Sequence, residues 1–191
     1  HRYDLSNRYN YWNASYKTAL NANWVLKSGL SYTSNLNDIL LDANGIAEDE
    51  KGWHGKTVFE GSLTDHVELK AGTEVLHRQH DYVVAGTGVM GYDETITAAF
   101  AETDMYASNN FVTRAGVRVE HSSLQEKVSA DPRLSLAYKA GTSGQVSFAY
   151  GRFRQSARNE WLRRDRGLKS EKAEHFILNY QRIDNDRTFR I

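Results

Sequence analysis

The chain has 191 residues, enough for one domain with a sizeable core, yet its mean hydropathy is −0.65 and 12% of its residues are aromatic, with 11 Tyr against one Pro. That mixture disfavours a helical bundle and disorder alike and favours extended, twisted sheet. The 24 Lys and Arg balance 24 Asp and Glu, and there is no Cys, so the basic excess of a nucleic-acid binder, a disulfide framework and a thiolate metal site are all missing.

Residues 8–20 read as a first strand and 24–34 as its partner. In the second, Trp24, Leu26, Leu30 and Tyr32 share one face, and Lys27, Gly29, Ser31 and Thr33 the other. A third strand over 53–62 sets Trp53, Thr57, Phe59 and the following Leu63 against His54, Lys56, Glu60 and Ser62. The clearest alternation lies in 66–78, where Val67, Leu69, Ala71, Thr73 and Val75 oppose His66, Glu68, Lys70, Gly72 and Glu74. Residues 92–104 and 110–122 form the next hairpin, the latter with Phe111, Thr113, Ala115, Val117 and Val119 opposite Arg114, Gly116, Arg118 and Glu120. Strands over 133–139, 145–153, 171–183 and 187–191 complete an antiparallel up-and-down meander of about ten. Pro132 falls just before a strand, where its missing N–H does least harm.

The connections alternate in length. Short polar ones fall at Asn21-Ala22-Asn23, Leu63-Thr64-Asp65, Ser108-Asn109-Asn110, Gly141-Thr142-Ser143 and Asp184-Asn185-Asp186. Longer, more charged ones are expected over 35–51, 78–91, 121–131 and 155–170. Short turns at one end of a sheet and long loops at the other are the organisation of a transmembrane β-barrel. No apolar run approaches the roughly 20 residues of a membrane-spanning helix, but barrel strands carry only weak alternation and need about 9–11 residues. Several segments reach that length, whereas soluble strands usually run to about 5–6. Charges in mid-strand, such as Glu68, Lys70 and Glu74 or Arg114, Arg118 and Glu120, suit a water-filled lumen. Tyr9, Tyr11, Trp12, Trp24, Tyr32, Trp53, Tyr92, Tyr106, Tyr138, Tyr150 and Tyr180 sit near strand ends, as interfacial girdles require, although aromatics are also simply good strand residues.

Nothing points to catalysis: neither a nucleophile elbow nor a zinc-hydrolase motif occurs. His77 and His80 stand close in sequence without a third ligand and read as a solvated strand edge. Asp42-Ala43-Asn44-Gly45 with Glu48, Asp49 and Glu50 lacks the ligand spacing of a calcium loop and reads as a solvated acidic segment. The Arg-rich stretch is the candidate ligand contact: Arg154, Arg158, Arg163, Arg164 and Arg166, with Trp161 among them, offer guanidinium groups to anionic ligands. The bland alternative is a solubilising or lipopolysaccharide-facing rim.

Three stretches carry a resemblance. One runs from Thr97-Ala98-Ala99-Phe100-Ala101-Glu102 to Arg114-Ala115-Gly116-Val117-Arg118-Val119-Glu120-His121. The next joins Asp131-Pro132-Arg133-Leu134-Ser135-Leu136-Ala137-Tyr138-Lys139 to Val146-Ser147-Phe148-Ala149-Tyr150-Gly151-Arg152-Phe153. The last is Leu168-Lys169-Ser170-Glu171-Lys172-Ala173-Glu174-His175. In order and spacing they resemble the barrel of TonB-dependent outer-membrane receptors, especially those of Bacteroidetes-like bacteria, with Ser170 where the family pattern has Pro. The resemblance covers about half of the chain, from Thr97 onward.

The resemblance implies an outer-membrane location and energised uptake of a scarce small-molecule cargo such as a ferric siderophore, cobalamin or oligosaccharide. The implied partners are outer-membrane lipid and lipopolysaccharide, a plug domain of the same full-length chain and the TonB complex; no catalytic cofactor and no nucleic acid is implied. Family barrels close with about 22 strands around a plug. The chain begins at His1 without a recognisable signal peptide and ends at Ile191 in mid-strand, so residues 1–191 are expected to be a partial β-barrel domain without plug, TonB box or closing strand. A soluble all-β carbohydrate-binding or adhesion module and a small passive outer-membrane pore stay open as alternatives.

Overall fold

A computed structural model describes residues 3–41, 44–86, 88–184 and 187–190. It contains β1 (Tyr3–Ala19), β2 (Trp24–Leu41), β3 (Asn44–Thr64), β4 (Val67–Val84), β5 (Val89–Ser108), β6 (Phe111–Ser122), β7 (Lys127–Ala140), β8 (Gly144–Gln155), the helical turn α1 (Asn159–Leu162), β9 (Glu171–Asp184) and β10 (Arg187–Arg190). All ten strands lie in one sheet whose order is the chain order, and neighbouring strands pair antiparallel. The expected meander is therefore the fold.

Pairing register sorts the side chains onto two faces, because alternate residues of a strand point to opposite sides. One row runs Tyr9, Asn35, Glu50, His80, Tyr92 across β1 to β5, and a lower row on the same face runs Lys56, Glu74, Ala98, Glu120. This face is concave: Lys27 of β2 and Arg133 of β7 line one cavity of about 470 Å³ together with Lys56, Glu74 and Arg118. A flat sheet would hold β2 and β7 about 24 Å apart. The concave face is polar and ion-paired. Glu74 accepts from Arg118 at 2.7 Å and lies 2.7 Å from His54 Nε2, and Arg114 grips Asp104 through two hydrogen bonds of 2.6 and 2.7 Å.

The convex face carries the predicted apolar set. Trp12 and Tyr16 stand on β1, Leu26 and Leu30 on β2, Phe59 and Leu63 on β3, and Leu69 and Val75 on β4, followed by Val117 and Val119 on β6, Leu134 and Leu136 on β7, Phe148 on β8 and Leu178 on β9. Large members of this set are exposed, among them Trp12 at 72% and Leu178 at 75%. From β1 to β9 no Lys, Arg, Asp or Glu interrupts this convex band. Directly above it stand Lys51, His77, Asp93, His121, Arg152 and Glu174. An exposed apolar belt with so abrupt a polar border is what a sheet facing hydrocarbon needs. Tyr32 and Trp53, with ring centroids 4.5 Å apart, and Tyr150 with Phe176 at 4.9 Å mark its upper border, while Trp24, Tyr138 and Tyr180 mark the lower one. Tyr9, Tyr11, Tyr92 and Tyr106 lie on the concave face instead and belong to no girdle.

The short turns fall where expected and are closed by local chemistry. Asn21 Oδ1 accepts from the backbone N–H groups of Asn23 and Trp24, Thr64 Oγ1 from that of His66, and Ser108 Oγ from that of Asn110. Gly141 takes φ +74° in its turn, a conformation that favours glycine. The turn at Asp184-Asn185-Asp186 lies partly outside the described residues, as does the acidic stretch beginning at Asp42-Ala43.

Three of the expected long loops are not loops. Residues 35–51 and 78–91 are mostly ladder, with β2 running to Leu41, β3 starting at Asn44, β4 running to Val84 and β5 starting at Val89. Between β6 and β7 only residues 123–126 are free of strand. Charge had been read as loop, but the backbone hydrogen bonds of a ladder do not depend on side-chain polarity. A sheet that leaves the bilayer has water on its convex side and keeps pairing with polar residues there. Among the described residues only 156–170 is a long connection, and Ser170 leads into β9.

Candidate functional site

The upper end of the concave face is where polar groups are buried. In β4 and β5 the carboxylate of Glu94, fully buried, accepts from Arg78 Nε at 2.8 Å and Nη2 at 2.5 Å and from Ser122 Oγ at 2.5 Å. A charge taken out of water needs such partners on nearly every lone pair. Arg78 also lies over the ring of Tyr92, 5.5 Å from its centroid. Tyr92 is 4% exposed, and burial, the leading cause, pushes its phenol above the ordinary tyrosine range.

The β8–β9 connection folds across this surface. Asn159, at the start of α1, accepts from Tyr92 Oη at 2.6 Å and donates to Glu50 Oε1 at 2.5 Å. Leu162 is fully buried, Arg163 stacks 3.8 Å from the Tyr82 ring centroid, and Arg166 Nη2 donates to the Gly91 carbonyl at 2.6 Å. On the other side Gln125, in the β6–β7 turn, donates to the Leu168 carbonyl and accepts from Ser170 Oγ. The connection thus spans the cup from β3 to β7 and is tied down at both sides.

Five of the six predicted contact residues lie on this connection and one on β8, and they do not converge on one point. Arg154 is on β8 and donates to Asp131, which is 5% exposed, at 2.9 Å. That pair bridges a split in the sheet: β7 and β8 pair only from Arg133↔Gly151 downward, immediately after Pro132, whose ring nitrogen has no hydrogen to give a ladder. Arg163 and Arg166 hold the connection to β4 and β5, whereas Arg158, Trp161 and Arg164 face solvent. His77 and His80 are parted: His77 lies on the convex face, its Nδ1 3.0 Å from Thr95 Oγ1, and His80 lies on the concave face. A spacing of three in a strand puts two residues on opposite faces, so this separation was available from the sequence. The convergence of Glu50, His80, Tyr92 and Asn159 was not, since Glu50 and Asn159 are 109 residues apart.

No family model matches this chain, nor does any curated protein. Solved structures do. The chain is similar to the copper transporter OprC with a TM-score of 0.82 at 10% identity, over 96% of this chain and 37% of that one. It is similar to the siderophore receptor PirA from Acinetobacter baumannii at 0.80 and 12%, over 95% and 33%, and to the alcaligin outer-membrane receptor FauA from Bordetella pertussis at 0.79 and 12%, over 96% and 35%. The chain therefore spans a little over a third of the length of these structures. At such identities the likeness shows the fold, which is the antiparallel wall of a large outer-membrane β-barrel.

Proposed function

We propose that this chain is part of the barrel wall of a TonB-dependent outer-membrane receptor, a transporter and not an enzyme, that takes up a scarce ligand with energy supplied from the inner membrane. The observation that carries the reading is the uncharged convex band of β1 to β9, backed by a polar, ion-paired concave face and by the likeness to solved outer-membrane receptors. In this reading residues 1–191 are a partial barrel domain, the remaining strands and a plug belong to the full-length protein, and the convex band meets lipid, with lipopolysaccharide at its rim.

The Arg-rich connection lies at the mouth. Arg158, Trp161 and Arg164 meet an anionic or aromatic cargo such as a ferric siderophore, while Arg154, Arg163 and Arg166 hold the surface that presents them and contribute charge to it. Cobalamin and oligosaccharide are the other cargo classes.

The test is uptake by the full-length protein in cells with and without a functional TonB complex. The reading requires the protein in the outer-membrane fraction and cargo-limited growth that stops when TonB is removed. Growth that continues unchanged would make it a passive pore, and recovery of the protein as a detergent-independent soluble monomer would make it a binding or adhesion module.

A further inference from the structure

We propose that Glu48, Glu50 and His80 form a binding site for a divalent transition-metal ion of the zinc class at the upper end of the concave face. One ligand atom from each of the three lies within 4.8 Å of the others. His80 Nδ1 is 3.2 Å from Glu50 Oε1, and Nε2 is 3.5 Å from Glu48 Oε1. Imidazole nitrogen with carboxylate oxygen is a zinc-type donor set, with bonds of about 2.0–2.2 Å that modest rotation of the Glu48 carboxylate would allow. Both glutamates are about one-third exposed, at 31% and 38%, so Glu48 has room to rotate, while Glu50 is held by Asn159.

A second observation points to a ligand independently. His80 is 2% exposed, and neither of its ring nitrogens makes a hydrogen bond. A buried imidazole whose nitrogens face two carboxylates without forming a hydrogen bond to either is costly, and an ion is one of the few things that removes the cost. The carboxylates are also uncompensated. Among the described residues no Lys or Arg pairs with Glu48 or Glu50, because Lys51 points to the convex side and bonds Asp49, and Arg78 is held by Glu94. A cation held by one ring nitrogen and Glu48 would leave the other nitrogen to donate to Glu50, the arrangement by which a carboxylate orients a metal-bound histidine.

Two direct protein ligands leave further coordination positions open toward the concave side. Glu50 is also the acceptor for Asn159, so an ion here would stiffen the contact that ties the β8–β9 connection to the wall. The inference stands apart from the transporter reading, since the purified protein takes up metal whether or not it moves a cargo.

The test is Zn²⁺ titration of the intact protein in detergent micelles, by competition with a chromophoric chelator, with limited trypsin digestion as a second readout. The wild type is expected to take up one Zn²⁺ per chain at micromolar affinity or better, with about a tenfold loss for Glu48→Gln and about a hundredfold for Glu48→Gln with Glu50→Gln. Zn²⁺ is expected to slow cleavage after Arg158 and Arg164 in the wild type and not in Glu48→Gln, which leaves the Asn159 contact in place. Both variants touch side chains about one-third exposed, and retained heat-modifiable gel mobility shows that they are folded. Equal Zn²⁺ affinity in the wild type and the double variant, or no zinc effect on the trypsin pattern, would overturn the proposal.

Discussion

Gly72 shows how one residue is set by its neighbour across the ladder. It lies opposite Phe100, whose ring covers it, and a Cβ there would come within 2.7 Å of the ring and 2.3 Å of the Thr57 carbonyl oxygen. Backbone cannot give way as a flexible side chain can. Gly72→Ala is expected to cost about 1–3 kcal/mol, read as a lower urea midpoint in lipid vesicles. Arg78→Met removes the partner of a fully buried carboxylate and is expected to cost about 3–5 kcal/mol, with Arg78→Met plus Glu94→Gln recovering part of the loss. Glu174, above the apolar band, is held below the ordinary glutamate range, first by its hydrogen bond from Lys172 and then by Arg152. Its small contribution is present at neutral pH and is lost as pH falls through its lowered value. Lys172→Met therefore shifts the Glu174 titration, followed by NMR, upward. At this scale the faces were legible, because period two alone assigns Leu69 outward and Lys70 inward. The partners of Glu94 were not, since Ser122, on the neighbouring β6, pairs opposite Ile96 and reaches Glu94 only through its side chain.

The strands are longer than a bilayer requires. A strand such as β3, at 21 residues, measures about 70 Å, and a 45° tilt still leaves about half of its height outside an apolar belt of about 25 Å. The upper halves of β2 to β5 therefore stand as a polar palisade above the band, and the sequence hid them because their charges look like those of a loop. The β8–β9 connection is legible as a loop for the same compositional reason, but its course across the cup is fixed by Asn159, Arg163, Arg166 and Gln125, which composition does not reveal. Asn159→Ala combined with Arg166→Ala is expected to raise trypsin cleavage within 156–170 several-fold while leaving the heat-modifiable mobility of the barrel unchanged. A parallel loss of barrel stability would show that the connection is part of the wall and not a tethered cover.

The whole molecule is organised by its two solvents. Charge on the concave face and none across the convex band make a wall suited to stand between water and hydrocarbon. Phe59→Arg, on the convex face, is expected to cost about 2–4 kcal/mol in vesicles, and Ser31→Arg, on the concave face, much less. In the proposed reading the short turns stand on one side of the membrane and the Arg-rich connection on the other. These 191 residues contain no Cys, so a single cysteine placed in them is read against the unsubstituted full-length protein as the control. The most direct test is labelling of Trp161→Cys and Ala22→Cys in the full-length protein on intact cells with a membrane-impermeant maleimide. The wall described here predicts that Trp161→Cys reacts at once and Ala22→Cys only after the outer membrane is permeabilised. Equal labelling of both positions on intact cells would contradict it.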